Sequence, residues 1–162
     1  MAAIESLDQL RALYGAPHGR AVAKQLDRLD RHCRSFIALS PFLILATQGA
    51  DGLGDATPRG DHAGFVSVPD DHTLIIPDRP GNRRLDSLSN IVERPGVGVL
   101  FLIPGVDETL RVNGTAVIDD DLALREAHRV EDNLPATVLV VTVKEAYLQC
   151  AKALMRSKLW SD

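Results

Sequence analysis

Apolar positions recur with a helical period over about the first forty residues of the chain. The segment IESLDQLRALYG predicts a helix that ends at Gly15, since glycine commonly terminates helices. The next segment, GRAVAKQLDRLDRHCRSFIALSP, predicts a longer helix that stops at Pro41, and its apolar stripe consists of Val22, Leu26, Leu29, Cys33, Phe36 and Ile37. We therefore expect a helical segment over residues 1–39.

From residue 41 onwards, the apolar residues instead form short runs separated by turns rich in Gly, Pro and Asp. Predicted strands cover residues 41–48, 55–60, 63–68, 73–77, 97–103, 108–118 and 137–143, with a turn at 69–72. Strands at such short intervals favour an antiparallel sheet that closes on itself over a doubly wound parallel sheet. In 162 residues we expect one mainly β domain with helices, of the α+β class, in which segment 1–39 packs on a small barrel over 40–162.

A surface helix is predicted between two of the strands, over residues 118–131 (IDDDLALREAHRVE). Asp119 is its expected N-cap, because a short acidic side chain can accept a hydrogen bond from the first turn. The acidic first turn, with Arg125 and His128 further along, agrees with the helix dipole.

A second helix among the strands, predicted over residues 82–91 from apolar residues at spacings of three, has the opposite arrangement of charge. Arg79, Arg83 and Arg84 crowd its first turn. Each cation at a helix N-terminus costs about 0.3–1 kcal/mol, because the aligned peptide dipoles already make that end positive. The sequence therefore indicates a missing negative partner at this place.

A bound phosphate group would supply that partner. Helix N-terminal N–H groups together with two or three guanidinium groups match the oxygens of a phosphate. Asn82 and Ser87 would add neutral donors. The alternative is that the arginines are solvated or pair with Asp78 and Asp86. Arg84 is the weakest candidate, because neighbouring helical residues point about 100° apart.

Two predicted strands carry polar side chains that strand alternation places on one face. The groups are Thr109, Arg111, Asn113 and Thr115 in residues 108–118, and Asp55, Thr57 and Arg59 in residues 55–60. Pro58 implies that the second of these strands is an edge strand or irregular. Arginines at strand centres are unusual unless solvated or paired, so we expect both strands to line a cleft.

Composition narrows the classes of partner and site. A net charge of −4 argues against non-specific nucleic-acid binding and favours a small anionic ligand held by local positive charge. No apolar run approaches the roughly 20 residues of a membrane span, and the first residues lack a basic, apolar signal, so we expect a cytoplasmic protein. Cys33 and Cys150 lie far apart, which indicates two buried thiols rather than a disulfide framework or a zinc site.

The order of these elements resembles the pyridoxamine 5′-phosphate oxidase-like superfamily of split-barrel FMN-binding proteins. In that superfamily a Ser-Arg-Lys helix start, a hydrophobic strand and an Arg-Val-x-Gly strand follow one another. The segments DATPRGDHAGFV, TLIIPDRPGNRRLDSL and ETLRVNGTA are similar to a bacterial branch of FMN-dependent enzymes of unassigned reaction. The similarity runs from about Ser40 to Ile118, and more loosely through CAKALMRSKLW.

The resemblance implies an antiparallel split barrel that forms a homodimer with FMN at the subunit interface. Asn82, Arg83 and Arg84 match the family's phosphate clamp, while Arg59 would flank the flavin ring. Arg111 matches the arginine of the Arg-Val-x-Gly strand, which lies near the cofactor from one of the two chains. The resemblance also places Ile76, Pro77 and Asp78 along the ribityl chain, Thr109 where the family often has glutamine, and Trp160 either over the partner subunit's flavin or packed against the barrel.

The leading hypothesis is an FMN-dependent oxidoreductase acting on a small molecule that the sequence does not identify. The segment TPRGDHAGF replaces the Arg-x-Val-Leu-Leu-Lys strand of authentic pyridoxamine phosphate oxidases, which leaves the vitamin substrate open. The alternatives are a flavin-binding carrier or sensor without turnover, and a relative that binds haem or a deazaflavin. His62, His72 and His128 are the candidate iron ligands in the haem alternative, although surface histidines are the simpler interpretation.

Overall fold

Seven antiparallel strands form one continuous sheet in the computed structural model, which describes residues 3–17 and 19–161. They are β1 (Phe42–Gln48), β2 (Gly54–Gly60), β3 (Ser67–Asp70), β4 (Thr73–Pro77), β5 (Gly96–Leu102), β6 (Thr109–Asp119) and β7 (Val138–Gln149). Their order across the sheet is β2-β1-β5-β6-β7-β4-β3, so β2 and β3 are edges and the sheet does not close. The protein is therefore α+β with an antiparallel split barrel, as predicted.

The strands lie close to their predicted positions, with two differences of length. β3 begins only at Ser67, whereas the sequence predicts a strand from residue 63. β7 continues to Gln149, six residues beyond the predicted end. The predicted alternation on β2 is confirmed: Asp55, Thr57 and Arg59 are half-buried, the intervening residues are exposed, and the strand is an edge strand.

The helices are α1 (Leu7–Tyr14), α2 (Gly19–Ala23), α3 (Arg31–Leu39), α4 (Asp86–Glu93), α5 (Leu122–Glu126) and α6 (Lys152–Ser157). α1 ends at Gly15 as predicted, and Gly15 has a φ of 71° that suits glycine. No residue of α1 is buried. α3 and α4 cover one face of the sheet, and their buried apolar residues are Cys33, Phe36, Ile37 and Ile91.

The predicted long helix over residues 19–40 is wrong, because it divides into α2 and α3. The Asp30 side chain accepts a hydrogen bond from the Cys33 backbone at 2.9 Å and so caps a new helix. Between the two helices, the Leu26 backbone exchanges two hydrogen bonds with Ala146 of β7. Ala146 lies beyond the part of β7 that pairs with β4. Val22, predicted to lie on the buried stripe, is 55% exposed.

The core lies against one face of the sheet, and an irregularity in β7 keeps that face apolar. Leu139, Val141 and Val143 point into the core, and the next inward residue is Ala146, so the inward positions change from odd to even numbers. The change arises because Glu145 pairs with Asn113 whereas Val143 pairs with Gly114, which leaves Lys144 as the extra residue of a β-bulge.

The helix predicted over residues 118–131 is also shorter than expected. β6 extends to Asp119, and Asp121 is the N-cap of α5, since its carboxylate accepts from the Leu124 backbone at 3.1 Å. Asp119 instead accepts a hydrogen bond from the Asp121 backbone at 2.8 Å. None of the described helices is long and apolar enough to cross a membrane.

Candidate functional site

The start of α4 differs from the prediction in a way that changes the roles of the nearby arginines. The helix begins at Asp86, so Arg83 and Arg84 precede it. Arg83 and Leu85 both have a φ of 61°, a left-handed conformation that does not continue into a right-handed helix. The Asn82 side chain accepts a hydrogen bond from the Arg84 backbone at 3.0 Å, which fixes a turn ahead of the helix.

The N-terminus of α4 has no side-chain cap. Leu85 occupies the N-cap position, and its side chain has no group that could accept a hydrogen bond from the first turn. Ser87, in that turn, is only 6% exposed, and no hydrogen bond to its hydroxyl is found among the described residues. The helix start therefore offers N–H groups and a hydroxyl for which the described part of the chain supplies no partner.

These groups open into a cleft of about 770 Å³ at the open side of the barrel. One wall is the half-buried face of β2, which carries Asp55, Thr57 and Arg59. The opposite wall is formed by residues 77–88, from the end of β4 to the first turn of α4. Phe65, Leu134 and Ala136 supply apolar surface. A volume of this size is typical of a small-molecule or cofactor site.

Two ion pairs join the walls of the cleft. The Arg59 guanidinium donates a hydrogen bond to the Asp78 carboxylate, and both side chains are less than one-fifth exposed. The Nε of Arg79 lies 2.5 Å from Oδ2 of Asp61, and both of these side chains are 21% exposed. In each pair, one residue lies in β2 or directly after it, and the other lies just after the end of β4. The pairs therefore connect segments that the strand ladder leaves unconnected.

The Asp61 carboxylate is stabilised in its charged form. Partial burial favours the protonated form, but hydrogen bonds from the His62 backbone and the Arg79 guanidinium outweigh that effect. Together they hold the pKa of Asp61 below its ordinary value of 3.8. Asp61 and Arg79 were not predicted to interact, and their separation of 18 residues in sequence leaves no local signal.

The four arginines near the cleft differ in how far their charge is already neutralised. Arg59 and Arg79 are paired as described, and Arg84 Nε lies 2.9 Å from Oδ2 of Asp86 in an exposed pair. Arg84 thus pairs with Asp86, as the alternative states, whereas Arg79 pairs with Asp61, which the alternative did not name. Within the described residues, no ion pair or hydrogen bond is found for the Arg83 side chain. Arg83 is the cation that remains available beside the start of α4.

The structure divides the predicted site residues into two groups. Arg59, Pro77, Asp78, Asn82, Arg83, Arg84 and Ser87 all line the cleft. Ile76 lies in β4, fully buried in the core, and does not line it. Thr109, Arg111 and Trp160 also lie away from the cleft of their own chain.

Arg111 belongs to the sheet face opposite the core. Its guanidinium lies over the Tyr147 ring at 5.2 Å and donates to the Gln149 side chain at 3.1 Å. Across β6 and β5, Arg111 is level with Leu100 and then with Ile44 of β1. Both apolar residues are half-buried on this face. We call this face, made of Phe42, Ile44, Leu100, Leu102 and Arg111, the outer sheet face.

Trp160 is tied to its own chain, since its indole N–H donates to the Val106 carbonyl at 2.9 Å and the residue remains 37% exposed. This contact agrees with the alternative in which Trp160 packs the C-terminus against the barrel.

The predicted burial is wrong for one cysteine and one histidine. Cys33 is buried as predicted, but Cys150 is exposed. His128 is buried, not a surface residue: its Nδ1 lies 2.8 Å from the Leu124 carbonyl and its Nε2 lies 2.7 Å from the Ser67 hydroxyl. Both ring nitrogens are thus engaged within the fold. No group of three or more His, Cys, Asp or Glu side chains suited to a metal ion occurs in the described part of the chain.

Comparison with known proteins agrees with the fold and the order of elements. Solved structures that share the fold include the following three. HupZ of Group A Streptococcus is 21% identical, with a TM-score of 0.59 over 74% of this chain and 92% of that one. General Stress Protein 26 of Bacillus anthracis is 18% identical, with a TM-score of 0.53 over 72% and 93%. An F420 reductase is 19% identical, with a TM-score of 0.51 over 70% and 94%.

At these identities the likeness to solved structures establishes the fold alone. No curated protein shows a significant match to the chain. The family model described as pyridoxamine 5′-phosphate oxidase matches residues 29–150, which span every strand of the sheet and the whole cleft. The chain belongs to the pyridoxamine 5′-phosphate oxidase family.

Proposed function

We propose that this chain binds FMN in the cleft and is an FMN-dependent oxidoreductase that acts on a small molecule in the cytoplasm. The observation that carries the proposal is the uncapped start of α4, where the first-turn backbone N–H groups and the Ser87 hydroxyl face the cleft beside Arg83 without a partner among the described residues. These are the groups that a dianionic phosphate monoester requires. The residues present therefore fit the phosphate end of FMN.

The phosphate would depend chiefly on Arg83. A guanidinium with no carboxylate partner loses no existing ion pair when it binds an anion. Arg84 would contribute less, because Asp86 already neutralises it at 2.9 Å in an exposed pair. The Asn82 oxygen accepts from the Arg84 backbone, so Asn82 would shape the turn and offer its amide N–H groups to the phosphate.

The other end of the cleft would hold the isoalloxazine ring. Arg59 uses one N–H group on Asp78, and for its remaining donors no acceptor is found among the described residues. Those donors suit the carbonyl oxygens of a flavin ring. The backbone N–H of Asp78 is bonded to the Thr137 carbonyl at 3.0 Å, so Pro77 and Asp78, which line the cleft, would offer carbonyl groups and the Pro77 ring to the ribityl chain, whereas the buried Ile76 would not reach it. When bound, FMN itself would supply the transfer of a hydride or of electrons.

We also propose that a second copy of the chain completes the site. Thr109, Arg111 and Trp160 do not line the cleft of their own chain, so only a second copy could bring them to a bound flavin. The outer sheet face offers the surface for this contact, since Ile44 and Leu100 are apolar on a side where an antiparallel sheet ordinarily presents polar residues to water. Sedimentation of the FMN-loaded protein as a monomer would contradict the dimer.

The experiment that tests the FMN proposal compares two ligands by fluorescence titration, FMN and riboflavin. Riboflavin has the same ring without the phosphate. We therefore expect it to bind at least tenfold more weakly than FMN, since a charge-assisted hydrogen bond contributes roughly 1.5–3 kcal/mol. Equal affinities for FMN and riboflavin would show that the start of α4 does not hold the phosphate. If no flavin binds, the proposal fails altogether.

A deazaflavin is the second candidate, because the F420 reductase shares this fold. The same titration with F420 separates the two cofactors. A carrier or sensor would differ from an oxidoreductase in a second step. It would bind FMN tightly, yet the absorbance of the bound flavin near 450 nm would not bleach with nicotinamide cofactors or other physiological reductants.

A further inference from the structure

The connection between β6 and β7, residues 120–137, lies at the open side of the barrel; we call it the strap. It contains α5, and its residues Leu134 and Ala136 form part of the cleft wall. Much of its structure is internal. Val130 and Asn133 exchange two backbone hydrogen bonds, and Arg125 Nε donates to the Pro135 carbonyl at 2.8 Å. The strap is therefore a folded unit whose position depends on its contacts with the rest of the chain.

Near the middle of the strap, the hydrogen bonds to the rest of the chain that are found among the described residues are made by His128. The Arg79 guanidinium donates through Nη1 to the His128 carbonyl at 2.7 Å. The His128 ring lies 2.7 Å from the hydroxyl of Ser67 in β3. A further hydrogen bond joins the Asp78 backbone N–H to the Thr137 carbonyl. It lies at the C-terminal end of the strap, where β7 begins, and not near the middle.

Arg79 makes both of its contacts at once. Nε bonds to Asp61, which follows β2, while Nη1 bonds to His128 in the strap. A guanidinium can do this because its donors form a rigid planar fork, whereas a lysine ammonium is a compact point charge on a flexible stem. Since Arg79 itself follows β4, its side chain connects three segments around the cleft: the end of β2, the end of β4 and the strap.

We propose that Arg79 is a positioning residue that clasps the strap against the cleft, and that opening of this clasp limits the release of the bound ligand. Arg79 thus has a different role from Arg83, although both follow β4 within a few residues. The part of the inference that concerns ligand release depends on the FMN proposal above. The part that concerns the position of the strap stands on the contacts of Arg79 alone.

The test compares Arg79→Lys and Arg79→Ala with Arg129→Ala in the full-length protein. Arg129 is the matched control, because it lies in the strap and its side chain pairs, among the residues the structure describes, only with Glu126, three residues away, in an exposed ion pair. Hydrogen exchange of residues 120–134 reports the clasp without any ligand. Stopped-flow measurement of FMN dissociation then reports its effect on release.

We expect Arg79→Lys to keep the charge interaction with Asp61 and most of the thermal stability, but to lose the bond to His128. Exchange in the strap and the FMN dissociation rate should both rise about tenfold, while the association rate changes little. Arg79→Ala should show the same rise in exchange together with a lower melting temperature. Arg129→Ala should match the wild type in both measurements.

If the strap exchanges at the wild-type rate in both Arg79 variants, Arg79 does not hold the strap in place and the proposal is wrong. If exchange in the strap rises but the FMN dissociation rate does not change, Arg79 holds the strap in place but does not control the release of the ligand. If the wild-type protein fails to bind FMN, the FMN proposal fails, and the exchange measurement still decides the clasp by itself.

Discussion

The Arg59 guanidinium is hydrogen-bonded to the Asp78 carboxylate, although the strands nearest to them, β2 and β4, are separated by four other strands in the sheet. The pair therefore fastens the two sides of the open barrel, where no backbone ladder exists. Because both side chains are less than one-fifth exposed, water screens the pair only partly. Loss of either charge should therefore lower the free energy of unfolding of the whole fold.

Replacing Asp78 by Asn should lower the free energy of unfolding by about 1–3 kcal/mol, because the half-buried Arg59 charge is left without its counter-ion. Urea unfolding followed by circular dichroism measures the change. Arg84→Gln is the control, since it removes an exposed pair with Asp86 and should change stability by less than about 1 kcal/mol. Equal effects of the two substitutions would mean that the Arg59–Asp78 pair does not fasten the barrel.

Replacing Arg83 by Glu should abolish measurable FMN affinity while the fold survives. A charge-assisted phosphate contact contributes roughly 1.5–3 kcal/mol, and the reversed charge adds repulsion. Arg83 is exposed, so its replacement leaves the core intact. The matched variant Arg84→Glu should weaken binding about fivefold or less, because that guanidinium is already paired and exposed. If both variants bind FMN as the wild type does, the phosphate lies elsewhere.

Acidification should weaken the Asp61–Arg79 pair. The pKa of Asp61 is held below 3.8 in the folded protein, so the pair's contribution to stability is fully present above that value. The contribution is lost as the pH falls below 3.8 through the folded-state pKa. The difference in urea midpoint between the wild type and Asp61→Asn should therefore shrink between pH 5 and pH 3. A constant difference over that range would refute the assignment.

Gly114→Ala should be severely destabilising, whereas Gly96→Ala should be nearly neutral. A Cβ at Gly114 would clash with the Thr142 carbonyl oxygen, next to the bulge in β7, and only backbone movement could relieve the clash. A Cβ at Gly96 would meet nothing within 4 Å. We expect a loss of more than about 3 kcal/mol for the first substitution, beyond the usual cost of overpacking. Thermal melting of the two variants measures the contrast.

The two thiols should react at very different rates with a disulfide reagent at pH 8. Burial and a hydrogen bond with Asp30 raise the pKa of Cys33 to about 11, and the residue is 2% exposed. Cys150 is exposed. One thiol should therefore react rapidly in the folded protein and the second only after denaturation. Cys150→Ser should remove the fast phase, and a persisting fast phase in that variant would contradict this assignment.

The strands could be predicted from the sequence because each apolar run is bounded by residues that favour turns. Pro58 indicated that β2 is either an edge strand or irregular, since proline has no N–H group for the ladder, and the structure shows that it is an edge strand. The resemblance to the pyridoxamine 5′-phosphate oxidase family, stated from three short segments, is confirmed by the family match over residues 29–150.

The start of α4 could not be predicted in the same way. Periodicity records the spacing of Leu85, Leu88 and Ile91 but carries no information about backbone conformation. The left-handed residues Arg83 and Leu85 are neither glycine nor asparagine, so no residue type marks the break. The ion pairs across the cleft join residues 18 and 19 positions apart, on segments that only the folded sheet brings together. Long-range pairs of this kind leave no local pattern in a single sequence.

Pro58 also has a consequence for the behaviour of the protein in concentrated solution. An unpaired edge strand is a template on which other chains can add by main-chain hydrogen bonds, a common route to aggregation. β2 is such an edge and forms one wall of the cleft. A strand that contains proline is a poor template for this addition, so the mouth of the cleft remains accessible to small molecules without recruiting other polypeptides.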